Sequence, residues 1–335
     1  MKKIVKAISA LLAAVFICTV LISCSSEIRP IEASEQDKKV VGTCDGREVL
    51  YDELRYITLS YRYDMEQAYG KDIWDDPDGT YAQKLSEYVY YAIRTNYALL
   101  SLCDEYGVEL EQEDIDEYAQ YMVESQVKTL GSFDAYKQSL KDYYLTDRYV
   151  RFNYGMDMRS EALIQKFAEQ NIIVSNSVTG GEDGTSDFLQ YTKDKDNYAR
   201  VIQVYTSSEQ DARTMYSMLK QGKKMSDIIG SRYNQDYGDT TGDGYYFARG
   251  EKAQKYENQV FALSIGQVSE VFECDGMYYI VQRLEPQESY IKSHIDTLYS
   301  YYRYAVLNVF VRERMDKLTF VPNEYGESLV LTEMK

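Results

Sequence analysis

The stretch from Tyr198 to Pro286 constrains this chain more than any other. Arg200-Val201-Ile202-Gln203-Val204 has the β-branched content of a strand. Glu209 to Gln221 reads as a helix stopped by Gly222, and Met225 to Tyr233 as a second. A turn-rich loop follows, Asn234 to Gly244, crowded with Asp and Gly. Tyr256 to Leu263 gives one more short helix, and Asp275-Gly276 leads into a last strand ending near Val281. Strands and helices interleaved in this way make a small α+β unit with a core of its own.

The same stretch carries specific pieces in a fixed order. Gly242-Asp243-Gly244-Tyr245-Tyr246-Phe247 is followed by Arg249-Gly250, then Phe261-Ala262-Leu263, then Gly266-Gln267-Val268-Ser269. This succession resembles the parvulin (PpiC-type rotamase) family, whose members are peptidyl-prolyl cis-trans isomerases. The resemblance implies a proline pocket made by Asp236, Tyr256, Phe247, Phe261 and Tyr279. It also implies two histidines, which are missing. The family's first-strand histidine falls on Arg200 and its last-strand histidine on Tyr279. The loop acid falls on Asp236, and the Met and Phe of the pocket floor fall on Lys252 and Tyr256. The single histidine of the chain, His294, lies outside the stretch and reads as a polar surface residue.

What the chemistry needs bears on these changes. Turning a prolyl bond forms no lasting covalent bond; the barrier is about 18–20 kcal/mol of amide resonance. Catalysis is the holding of a twisted amide in a dry, shaped pocket. Tyr279 offers one hydrogen bond but cannot exchange donor and acceptor roles as imidazole does. Arg200 brings a fixed charge that is expected to pair with Asp236. Lys252 wets the pocket floor unless its head turns outward. Isomerase, binding-only chaperone and envelope scaffold all remain open at this level. Asp236, Asp239 and Asp243 lie close together but lack the spacing of an EF-hand loop, so no metal and no cofactor is expected.

The flanking segments are mostly helical. Val40 to Val49 reads as a hairpin turning at Asp45-Gly46. Helices are expected from Tyr51 to Tyr69, Tyr81 to Tyr106, Glu111 to Leu130, Ser132 to Leu140 and Leu145 to Gln170, with Thr146 as an N-cap. In the second, Leu85, Val89, Ala92, Ile93, Leu99 and Leu102 form one buried stripe. Glu288 to Leu318 reads as a long helix and Leu318 to Val321 as a strand. The hairpin, two long helices and a Leu-Thr-Asp helix start are similar to the N-terminal domain of SurA-like and PrsA-like foldases. That resemblance implies that the C-terminal helix and strand pack back on the N-terminal domain, near Val40 to Thr43. The parvulin-like unit then becomes an insertion into a helical chaperone body. The expected divisions are a body at 40–174, a flexible linker at 175–197, the parvulin-like unit at 198–287 and the returning tail at 288–335.

The front of the chain bears on location. Lys2, Lys3 and Lys6 precede an apolar run ending at Leu21-Ile22-Ser23-Cys24. A short run behind a basic start is a secretory signal rather than a membrane span. The Leu-x-Ser-Cys ending resembles a bacterial lipobox, which implies cleavage after residue 23, acylation of Cys24 and attachment to the outer face of a cell membrane. Residues 24–39 then read as a polar tether. Removal of 1–23 takes three of the 37 basic residues and none of the 54 acids, leaving a net charge of −20. So acidic a chain excludes nucleic acid as a partner. Cys44, Cys103 and Cys274 are too far apart for a disulfide framework or a zinc site. The 35 tyrosines suit either ordinary filler on half-exposed helices or a damp groove for unfolded secreted chains between the two units. A homodimer is left open.

Overall fold

The computed structural model describes residues 28–177, 186–238 and 242–335. The signal segment, Cys24, residues 178–185 of the expected linker and Asp239 lie outside these ranges. The hairpin forms as β1 (Val40–Cys44) and β2 (Arg47–Leu50). Its turn residues Asp45 and Gly46 both have positive φ, 52° and 73°, matching the twist of the strands they join. Five helices follow: α1 (Tyr51–Tyr69), α2 (Thr80–Glu105), α3 (Gln112–Leu130), α4 (Phe133–Asp142) and α5 (Asp147–Glu169). Leu85, Val89 and Ile93 on α2 are fully buried, with Leu99 and Leu102 continuing the stripe. Thr146 caps α5, accepting from Tyr149 N at 3.1 Å, and donates to Asp52 Oδ2 at 2.5 Å. Arg148 grips the same carboxylate, so the starts of α1 and α5 are locked together.

The tail does return. After α10 (Glu288–Ser293) and α11 (Ile295–Met315), β7 (Phe320–Pro322) pairs antiparallel with β1, setting Thr43 opposite Val321. The three-stranded sheet has the order β2-β1-β7. The expected single helix over 288–318 is broken at His294. That ring stacks on Tyr290 with centroids 4.1 Å apart, and its Nδ1 sits 2.9 Å from the Tyr290 carbonyl, competing for a helix acceptor.

Two stretches differ from their sequence reading. Residues 186–191 are not linker: Ser186 Oγ accepts from Leu189 N at 3.1 Å and starts α6 (Asp187–Tyr191). Phe188 and Leu189 are buried, with Phe188 packed on Tyr198 and Tyr302. Residues 28–39 are not a loose tether either. Ile28 and Ile31 pack on the core of α3, α4 and α5. Ile31 N donates to Asp147 Oδ2 at 3.0 Å, and Gln120 Nε2 donates to Ile28 O at 2.7 Å.

The inserted unit holds β3 (Tyr198–Thr206), α7 (Glu209–Lys220), α8 (Met225–Ile229), β4 (Tyr245–Ala248), α9 (Gln254–Phe261), β5 (Phe272–Cys274) and β6 (Met277–Leu284). Its sheet runs β4-β3-β6-β5, antiparallel throughout. Side chains alternate across it. One face carries Ala199 and Val201 toward Phe247, Tyr256 and Val260. The other carries Val204 toward Met215, Met225 and Ile228 of α7 and α8. The insertion is fastened to α11 through a close approach at Gly250. Its φ is 99°, and a Cβ there would lie 2.0 Å from Ala305 O. The molecule is thus a stack: α3 and α4 on α5, α5 on α2 and α11, α11 on β4.

Candidate active site

The loop before β4 positions Asp236, and Asn234 positions the loop. Asn234 is 2 % exposed and works as a bracket. Its Oδ1 accepts from Tyr205 N and Asp236 N at 3.1 and 2.9 Å, while its Nδ2 donates to Ile229 O and Asp236 O at 2.8 and 3.0 Å. The end of β3, the end of α8 and the acid-bearing turn are held by one amide. The glycine loop closes over the same strand at Gly244, where a Cβ would meet Val201 O at 2.4 Å with φ at 79°.

Asp236 is buried and its carboxylate is well supplied with donors. Oδ1 accepts from Tyr245 OH at 2.6 Å and from Gly238 N at 3.0 Å; Oδ2 accepts from Gln203 Nε2 at 2.8 Å. Gln203 Oε1 in turn accepts from Tyr256 OH at 2.5 Å. The result is a chain of hydrogen bonds, Tyr245–Asp236–Gln203–Tyr256, laid across the face of β3. Burial drives the Tyr256 hydroxyl far above the ordinary phenol range, with the nearby Tyr279 and Asp236 adding to it. It stays a neutral donor at every working pH.

The aromatic wall surrounds this chain. Tyr256 packs against Tyr279 edge-on at 5.4 Å and against Phe247 and Phe272 at 5.9 Å. Tyr279 also lies 5.4 Å from Tyr205 and stacks on Phe272 at 5.7 Å. Its hydroxyl is half-buried, is raised by that burial, and has no hydrogen-bond partner among the described residues. Phe247 is fully buried and meets Phe261 edge-on at 5.9 Å. Phe261 is covered by cations, with Arg249 4.0 Å and Arg283 5.2 Å from its ring centre. Lys252 is exposed, its ammonium 5.9 Å above Phe247.

Of the residues singled out in the sequence, Asp236, Tyr256, Tyr279 and Phe247 come together, with Phe261 and Lys252 at the margin. Arg200 does not. The alternation of β3 turns it to the other face, where its guanidinium donates to Asp243 O at 2.7 Å and Glu285 O at 3.3 Å and lies over Tyr246. Asp236 is not its partner. The side chain that reaches Asp236 from β3 is Gln203, three residues on, which shares the parity of Ala199 and Val201. The sequence reading missed Gln203, Asn234 and Tyr245. Glu257 was also missed: it is 4 % exposed and its Oε1 accepts from Gly250 N and Lys252 N at 2.7 and 2.8 Å. Its Oε2 meets Arg312 of α11 at 3.2 Å, so the loop beside the aromatic wall is tied to the body.

Residues 190–287 match the family described as the PPIC-type PPIASE domain. This segment is a parvulin-type domain. Across 93% of its length the chain is also similar to the foldase protein PrsA of Caldanaerobacter subterraneus, at 20% identity and over 93% of that protein. Among solved structures it is similar to PrsA of Bacillus anthracis (16% identity, 66% of this chain and 94% of that one, TM-score 0.33). PrsA of Streptococcus pneumoniae gives 17% identity over 83% of this chain and 91% of that one, with a TM-score of 0.33.

The body brings aromatic rings to the same side as the parvulin-type domain. Tyr61 stacks with Tyr88 at 5.5 Å, and Tyr69 tilts against Tyr81 at 5.6 Å along α1 and α2. Tyr69, Tyr88 and Tyr91 are exposed. The turn between β5 and β6 comes up to this row: a Cβ on Gly276 would lie 3.8 Å from Tyr69 OH. Tyr69 presents its phenol ring beside that turn, a surface that takes apolar side chains and backbone polar groups alike.

Proposed function

We propose that this protein is an extracytoplasmic foldase, held to a membrane by acyl chains on Cys24, that binds unfolded secreted proteins and turns their prolyl bonds slowly. The carrying observation is the chain Tyr245–Asp236–Gln203–Tyr256 beside the Tyr279 hydroxyl, which has no partner among the described residues. Asp236 and Gln203 fix the aromatic wall; Tyr256 spends its donor on Gln203. Tyr279 is left as the donor that meets a substrate carbonyl while its C–N bond twists beside Phe272 and the edge of Tyr256, with Phe247 buried beneath them. Loss of resonance in the twisted amide is favoured where water is kept out. The similarity to PrsA and to the parvulin-type family supports the reading, as does the lipobox-like Leu-Ile-Ser-Cys ending at Cys24.

A second reading, a binding module without turnover, is favoured by Gln203 itself. An amide has one donor end and one acceptor end, and both are taken, so the site cannot trade protons or roles as paired imidazoles do. Aggregation suppression separates foldase from fixed scaffold. The soluble body should slow aggregation of several unrelated unfolded proteins, and Tyr69→Ser with Tyr88→Ser should weaken this severalfold without changing the melting temperature. Protection of a single partner protein only would replace the foldase reading with that of a scaffold.

A further inference from the structure

We propose that the face formed by α3 and α4 is the membrane-proximal end of this protein, and that residues 28–39 are a folded strap that fixes this orientation. The inference rests on acylation of Cys24, proposed above, and adds to it the partner of a particular surface: the lipid bilayer that holds those acyl chains.

The strap is built into the body. Asp147 is 2 % exposed, and its carboxylate serves three donors from three parts of the chain: Tyr136 OH of α4 at 2.7 Å, Arg151 Nε of α5 at 2.6 Å and Ile31 N of the strap at 3.0 Å. A backbone amide bonded to a buried carboxylate is a charge-assisted bond, stronger than a neutral one. Gln120 of α3 holds Ile28 O, and Asp37 pairs with Arg55 of α1 at 3.3 Å. Ile28 and Ile31 add apolar contact with the core that Val123, Val127 and Leu140 form. Thus the strap is fastened along its length from Ile28 onward.

The length of chain outside the strap sets the geometry. From Cys24 to Ile28 there are four residue steps, spanning at most about 14 Å when fully extended. A free 16-residue tether over 24–39 would reach about 55 Å and leave the body free to tumble. With the strap folded, Ile28 cannot leave the immediate neighbourhood of the bilayer, nor can the α3 surface beside it. Adhesion is not what holds it there. The cleft beside Pro30 is lined by Asp116, Glu117 and Glu124 as well as Tyr121, and those acids do not attract anionic lipid. The leash imposes the proximity. Because the molecule is a stack running from α3 and α4 through α5 and α11 to β4, the prolyl site is carried at the other end, toward incoming chains.

Energy transfer from a surface dye to acceptor lipids tests this on the full-length acylated protein in vesicles of phosphatidylglycerol and phosphatidylcholine. Cys44, Cys103 and Cys274 are buried, so an introduced surface cysteine takes the label. Tyr121→Cys places it beside the strap and Tyr237→Cys places it next to the prolyl site; both positions are exposed. Transfer from position 121 should exceed that from 237 severalfold. Insertion of twelve Gly/Ser residues after Cys24 should bring the two together while leaving the fold untouched. Mass measurement of the N-terminal peptide accompanies both. Equal transfer from the two positions in acylated protein with the native leash overturns the orientation and spares the anchor. An N-terminal peptide without acyl mass overturns the anchor, and the orientation with it.

Discussion

Asp236 in the parvulin-type domain and Glu53 in the helical body are both carboxylates closed off from water, and the fold treats them in opposite ways. Asp236 receives three donors within 3.0 Å. Glu53 is 2 % exposed; among the described residues its Oε1 has no hydrogen-bond partner, and the carboxyl is met by Asn96 and by a long 3.4 Å contact from Tyr97 OH to Oε2. Burial pushes the Glu53 carboxyl up to about 7, against the opposing pull of Asn96 and Arg148. A buried acid that is given donors serves as a fixed bracket for a site; one left short of them becomes a proton-linked weak point. Asp236 is a bracket of the candidate site, and Glu53 is a weak point where α1 meets α2.

The bracket breaks hardest. Asp236→Ala strands Gln203, Tyr245 and Gly238 N, and should lower stability by about 2–4 kcal/mol in urea unfolding. Asp236→Asn keeps the shape and should cost roughly half of that. The weak point shows itself in pH. The folded value of Glu53 lies above the usual carboxylate value, so its neutral form favours folding. Its contribution is complete below about 4.5, falls as pH rises toward 7, and is gone above that. Wild type minus Glu53→Gln should therefore lose on the order of 2–3 kcal/mol between pH 4.5 and pH 8, read from urea midpoints at each pH. A difference that does not vary with pH would remove Glu53 from the comparison. Gln203→Ala should cost about 1–2 kcal/mol and release the Tyr256 hydroxyl, seen as a change in tyrosine absorbance. Tyr279→Phe should change stability by less than about 0.5 kcal/mol, because its hydroxyl has no partner among the described residues.

Much of this could be read from the sequence where local chemistry decides. The Asp45-Gly46 turn, the α2 stripe, the Thr146 cap and the pairing of the last strand with β1 follow from periodicity, capping and the family order. Gln203 did not emerge because the resemblance put a missing histidine on Arg200 with no invariant side chain to fix the register. Strand parity alone separates the two, since Gln203 shares a face with Val201 and Arg200 does not. The strap was hidden for a different reason. Its composition is that of a tether, and what folds it is a carboxylate more than a hundred residues away. Residues 186–191 were legible after all, in Ser186 before an acid and the apolar pair Phe188-Leu189, but the surrounding Gly and Lys outweighed them.

The most direct test of the account is prolyl isomerisation by residues 25–335 on a panel of short X-Pro peptides, with Tyr279→Phe and Asp236→Ala alongside. The account predicts a modest acceleration over the uncatalysed rate. It should fall about tenfold in Tyr279→Phe, whose fold is unchanged, and vanish in Asp236→Ala. An acceleration that Tyr279→Phe leaves intact, or none on any peptide from the folded protein, would contradict it.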